Sequence, residues 1–171
     1  MNKKLLIIGV GILILGMCGC TEITIDREYI NYEYGFALNP PEGWVVAENE
    51  TDESVVRFYS PQRNDVYINI SKPYRLDIGL ALSTFADDIK QVYHEIMDNF
   101  TVAHRDWRDI EGLNAYEIVY SYDEDDLSMK AKQVAVTKTR TVFLIAFIAT
   151  NESYDEFISI VDQSIDSFKI V

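Results

Sequence analysis

Four consecutive carboxylates, Asp123-Glu124-Asp125-Asp126, form the longest unbroken acidic run in the sequence. Carboxylates at that density could chelate a hard cation such as calcium. A calcium loop of the EF-hand kind wants Gly at its sixth position and Glu at its twelfth. Counted from Asp123, those positions hold Ser128 and Val134. The run therefore reads as an acidic hairpin turn in preference to a metal site. His94 and His104 are the only histidines and offer imidazole for acid–base or metal chemistry. They fall on separate elements, one in a helix and one in a strand, and lone histidines are seldom ligands. Tyr116, Tyr120 and Tyr122 share one face of a strand and would line a ligand pocket if that face were open. Lys130, Lys132 and Lys138 point one way along another strand, with Arg140 just past it. Such a basic strip docks an acidic partner or guards an edge strand against aggregation, and the second is the better fit. No Gly-x-Ser-x-Gly, phosphate loop, dinucleotide fingerprint or His-Glu-x-x-His is present. No cysteine follows Cys20, so the folded part has no disulfide, thiolate nucleophile or zinc-thiolate site. The expectation is no catalysis, no cofactor and no bound metal.

Two sets of residues point to covalent modification. Met1-Asn2-Lys3-Lys4 is basic, Leu5 to Met17 is apolar, and Cys18-Gly19-Cys20 follows. The apolar run is shorter than the roughly 20 residues a spanning helix needs, and three glycines interrupt it. It suits a signal peptide over residues 1–19. Gly19 places a small residue directly before Cys20, as in a lipoprotein signal, so Cys20 is the expected lipidation site. An uncleaved anchor and free secretion are the alternatives. Asn49, Asn69, Asn99 and Asn151 each head an Asn-x-Ser/Thr sequon without proline, and are possible glycosylation sites. Their use requires an extracellular oligosaccharyltransferase, which would suit a prokaryotic host of archaeal type. Asn69 sits in a strand opposite Ile68 and Ile70, and would be modified only if that face is open.

The elements that must position these residues follow from pattern. The chain has 171 residues; cleavage before Cys20 removes Lys3 and Lys4 and leaves 13 basic against 28 acidic side chains, a net charge of −15. That balance disfavours nucleic acid and anionic lipid as partners. Residues 20–28 read as a polar tether and residues 29–171 as one domain. Strands are expected at Tyr29–Leu38, Trp44–Ala47, Val55–Tyr59, Val66–Ile70, Val102–Arg108, Leu113–Tyr122, Leu127–Thr137 and Val142–Ala149. The last is apolar throughout and should be buried on both faces. A helix over Ser83–Phe100, capped by Ser83, carries a stripe of Phe85, Ile89, Val92, Ile96 and Phe100. A second runs over Tyr154–Phe168, with Ser153 and Glu156 as a capping box. Strands, helix, strands, helix is an α+β order: an antiparallel sheet covered by two helices.

Tyr34-Gly35-Phe36-Ala37-Leu38 followed by Pro41-Glu42-Gly43-Trp44 resembles the opening of the PsbP-like family, named for an extrinsic subunit of photosystem II. The close is similar too: the apolar strand Val142–Ala149, an acidic helix with Tyr154, then Ser167-Phe168 and a final short strand. The resemblance implies an α/β/α sandwich around a central antiparallel sheet, shared with a Ran-binding nuclear import factor. It also implies an accessory role in binding or assembly. The fold alone fixes no function. Together with the leader, it leads to a non-catalytic accessory lipoprotein, tethered to the outer face of the cytoplasmic membrane and binding an unknown envelope protein. The alternative is a lipoprotein that binds a small ligand or a divalent cation.

Overall fold

The computed structural model describes residues 23–24, 28–48, 51, 53–78 and 81–171. The leader, Cys20 and Asn49 lie outside the described residues. Among the described residues, twelve strands and two helices run in the order β1 (Ile23–Thr24), β2 (Tyr29–Asn31), β3 (Phe36–Leu38), β4 (Val45–Glu48), β5 (Ser54–Tyr59), β6 (Tyr67–Ser71), β7 (Tyr74–Arg75), α1 (Leu82–Ile96), β8 (Asp98–Ile110), β9 (Leu113–Glu124), β10 (Leu127–Lys138), β11 (Thr141–Thr150), α2 (Asn151–Asp166) and β12 (Lys169–Ile170). Nine strands form one antiparallel sheet, ordered β1-β4-β5-β6-β11-β10-β9-β8, with β7 also on β11. A small sheet, β12-β3-β2, joins the chain's end to its beginning.

Alternation decides which helix each strand faces. On β11, Phe143, Ile145, Phe147 and Ala149 join Phe157, Val161 and Ile165 of α2 in the main core. Val142 and Leu144 point to the other side and pack with Phe85 and Ile89 of α1. The central strand is thus buried on both faces, and the two helices cover opposite faces of the sheet, an α/β/α sandwich. Phe36 and Phe168 stack at 5.7 Å, and both rings meet Phe143, so the small sheet is stapled onto the main core by aromatics.

Several boundaries differ from expectation. Tyr29–Leu38 is a hairpin of two short strands, because Gly35 takes a φ of 72° that ends the extended run. Helix α1 starts after Ala81, so Ser83 lies within its first turn and makes no cap bond. It ends at Met97, since Asn99 adopts a φ of 51°, and Phe100 already belongs to β8. The stripe that packs is Phe85, Ile89, Tyr93 and Met97, while Val92 and Ile96 are exposed. Helix α2 begins at Asn151, so Ser153 is not the cap but a buried residue of the first turn. Within the expected tether, the described residues are engaged: Ile23 pairs with Val46 and Thr24 with Val45, and Glu28 forms an ion pair with Lys169.

Candidate functional site

The tyrosine face is built as its alternation requires, but it is closed. Tyr116, Ile118, Tyr120 and Tyr122 of β9 lie under α1, which lays Tyr93 and Met97 over them together with Phe100. The Tyr93 hydroxyl donates to Gln133 Oε1 at 2.8 Å, and Tyr120 reaches the same oxygen at 3.5 Å. Burial raises the Tyr120 phenol well above its ordinary range, and neighbouring tyrosines add to this; burial raises Tyr93 and Tyr122 as well. The void between Ile89, Tyr93, Tyr116 and Gln133 measures about 10 Å³. That space has room for about one water molecule and for no larger ligand. This face is core, and a ligand would have to displace α1 to enter it.

The lysine strip lies on the opposite face, and β10 is not an edge: it sits between β9 and β11. The strip's acidic partners belong to the protein itself. Lys132 Nζ donates to Asp162 Oδ1 on α2 at 2.7 Å and lies 3.5 Å from Glu117 Oε2 on β9. Arg108 on β8 donates to the same Glu117 oxygen at 2.6 Å and also bonds Asp166. Lys130 bonds Asp155 and lies 4.1 Å over the Tyr154 ring. Arg140 Nε donates to the Leu76 carbonyl. Lys130, Lys132 and Arg108 clamp α2 to β8, β9 and β10, whereas Arg140 ties its turn to the segment after β7. Sequence spacing gave the strip's direction, but its partners come from a helix some 25 to 30 residues further on.

The acidic run ends β9 and turns through Asp125 and Asp126, with φ of 49° and 66°, a two-residue hairpin turn. Asp123 accepts from Asn99 Nδ2 at 2.6 Å. His94 is on the α1 side, whereas His104 pairs with Val119, whose side chain faces the α2 side; the histidines do not meet. Among the described residues no group of three or more His, Cys, Asp or Glu side chains is placed to hold a metal. Millimolar calcium should therefore leave the melting temperature unchanged. A site with a Kd near 10 μM would add about 2.7 kcal/mol at a hundredfold excess of calcium. A rise of several degrees, abolished by Asp125→Ala, would overturn this.

At the α2 N-terminus the anion is already supplied. Asp65 Oδ2 accepts from Thr150 Oγ1 at 2.8 Å, and Arg63 pairs with the same carboxylate. Burial pushes the Asp65 carboxyl upward, but the bonds from Arg63 and Thr150 outweigh it and hold it below its usual range. Of the sequons, Asn151 is exposed on the first turn of α2, and Asn99 is exposed with its amide on Asp123. Asn69 is half-buried: its Oδ1 accepts from Ser54 and Arg57, and its Nδ2 donates to Ser71, the hydroxyl of its own sequon.

Comparison with known proteins follows the fold. The solution structure of cyanobacterial PsbP (CyanoP) from Synechocystis superposes with a TM-score of 0.64 at 17% identity, covering 92% of this chain and 99% of that one. A protein of unknown function from Pseudomonas aeruginosa, described as a putative regulator, gives 0.61 at 15% identity over 82% and 94% of the two chains. A Bacteroides thetaiotaomicron protein gives 0.59 at 14% identity, covering 85% of this chain and 48% of its own. At these identities the likeness is one of fold, and all three sources are bacterial, so nothing here supports an archaeal origin. No curated protein matches the chain. The sequence model described as PsbP-like protein matches residues 21–170, nearly the whole folded part, and the chain belongs to the PsbP-like family.

Proposed function

We propose that this protein is a non-catalytic accessory lipoprotein, anchored through Cys20 to the outer face of the cytoplasmic membrane, where its domain binds another envelope protein. The observation that supports this reading most is an abutment. The family match begins at residue 21, immediately after the cysteine of the lipoprotein-like signal. Strand β1 starts at Ile23, so only Thr21 and Glu22, a span of at most about 10 Å, separate the acyl-bearing position from the sheet. A domain so close to the bilayer acts on neighbours in or on that membrane. Among the described residues no helix is long and apolar enough to cross a membrane. A small-ligand role has less support, because the tyrosine face is filled by α1.

Metabolic labelling with palmitate tests the anchor. The wild-type chain should take up the label and have the intact mass of a chain starting at Cys20 plus acyl groups. Cys20→Ser should take up none. A wild-type chain purified from membranes at its full precursor mass, without acyl addition, would overturn the reading. The same spectrum reads the sequons: hexose-spaced heterogeneity would assign glycans, with Asn99 and Asn151 the exposed acceptors among the described residues.

A further inference from the structure

Strand β8 closes one end of the nine-stranded sheet, and β1, the strand nearest Cys20, closes the other. From Thr101 to Trp107 every β8 residue is exposed. The hairpin to β9 fixes which backbone groups look outward. Glu111 and Gly112 form a two-residue turn with φ of 52° and 79°, so Ile110 and Leu113 are a hydrogen-bonded pair. Alternation then turns the N–H and C=O groups of Asp109, Trp107 and Arg105 away from β9. The Trp107 N–H accordingly donates to its neighbour Asp106 Oδ1, at 2.8 Å. Register shifts lie between Asp98 and Thr101 and between Val102 and His104, so the regular edge is His104 to Ile110.

That segment is complementary to itself when reversed about Trp107. Arg105 then stands opposite Asp109, Asp106 opposite Arg108, and Trp107 opposite its own copy. Every charged pair in the register is of opposite sign. The outward backbone groups of residues 105, 107 and 109 are the ones such a pairing would bond. Arg105, Trp107 and Asp109 lie on the α1 side of the sheet, and Asp106 and Arg108 on the α2 side. Residues 105 to 109 carry no net charge, in a chain of formal charge −13. Trp107 is 53% exposed, with its ring held edge-on by Tyr116 at 5.1 Å. A rigid, exposed Trp at the centre of a patch is the usual anchor of a protein interface. Arg105 has one weak ion pair, 3.6 Å from Asp87, and Asp109 accepts the Gly112 N–H with one oxygen; both keep capacity for a second partner.

We propose that β8 is a self-pairing edge: two copies of the chain join antiparallel through His104–Ile110, centred on Trp107. Charged edges ordinarily repel other strands. Here the signs are mirrored about the centre, so the charges select a second copy in one register. The proposal does not depend on the membrane anchor, since β1 lies at the far end of the sheet.

Complementary charge reversal tests it. Full-length chains with two different affinity tags are co-expressed and solubilised in detergent, and one tag is captured. Wild-type chains should co-purify. Arg105→Asp paired with itself, and Asp109→Arg paired with itself, should each lose co-purification, because each sets like charges face to face. Arg105→Asp paired with Asp109→Arg should restore it, because both contacts become Asp–Arg again. Restoration also shows that each variant is folded. Wild-type chains that do not co-purify, or single variants that self-associate as wild type does, would overturn the proposal, and β8 would then be an edge blunted against pairing.

Discussion

Lys132→Met should lower stability by roughly 2–4 kcal/mol, although the substitution keeps most of the side chain's length. Lys132 lies between Glu117 and Asp162, with its side chain 10% exposed and that of Glu117 12%. Its neighbourhood holds two cations, Lys132 and Arg108, against three carboxylates, Glu117, Asp162 and Asp166. Without Lys132, Arg108 faces all three carboxylates alone. Breaking a fully buried pair costs about 3–5 kcal/mol. Asp162 is 36% exposed, so water recovers part of that. For a chain of this size, about 2–4 °C of melting temperature is lost per kcal/mol. The double variant Lys132→Met, Glu117→Gln restores the original balance of one excess carboxylate and should regain much of the loss. Lys130→Met is the internal contrast. Its partner Asp155 is 82% exposed, so the loss there should stay near 1 kcal/mol or less, chiefly from the contact with Tyr154. If both lysine variants melt together within a degree of wild type, the network is a solvated surface feature.

Elements with one clear period were legible from the sequence, and strand order was not. Val142–Ala149 could be placed at the centre because eight apolar residues without alternation have no solvent face. Tyr116 to Tyr122 could be placed on one face because alternation admits nothing else. The lysine strip was misplaced because alternation shows that Lys130 and Lys132 share a face but not that β9 and β11 flank their strand. Only tertiary pairing supplies Asp155, Asp162 and Glu117. The end of α1 misled for a local reason. Ile96 and Phe100 keep helical spacing, yet Asn99 turns left-handed at the beginning of β8, so Phe100 reaches Tyr93 and Tyr120 from a strand. The open edge was equally invisible. Nothing in His104–Ile110 marks it as terminal until the sheet's other eight strands have paired.

Alkaline pH should unfold this domain over a narrow window beginning near pH 10, where an unstrained phenol ionises. Burial of tyrosines on both faces of the sheet is the cause. Tyr29 is pushed up to about 12, first by burial and then by its bond to Glu48. Burial also raises Tyr93, Tyr120, Tyr122 and Tyr154, with Coulombic repulsion from Asp162 adding to the last. A group whose folded pKa lies above its unfolded value keeps its proton in the native state after the unfolded chain has lost it. The unfolded state then binds fewer protons, so stability is full below about pH 10 and falls as pH rises through the folded values. Each pH unit in that window costs about 1.4 kcal/mol per tyrosine held neutral, and several act together. Thermal melts by circular dichroism across the window, with phenolate absorbance followed in parallel, should show loss of structure and ionisation of these tyrosines as one event. Tyr120→Phe keeps the ring, and Gln133 keeps its bond from Tyr93, so neutral-pH stability should change little while the alkaline midpoint moves up. Tyr32→Phe, at a side chain 83% exposed, should leave the midpoint where it was. If all 11 tyrosines titrate together near pH 10 while the fold persists, then water reaches the tyrosine face and α1 does not seal it.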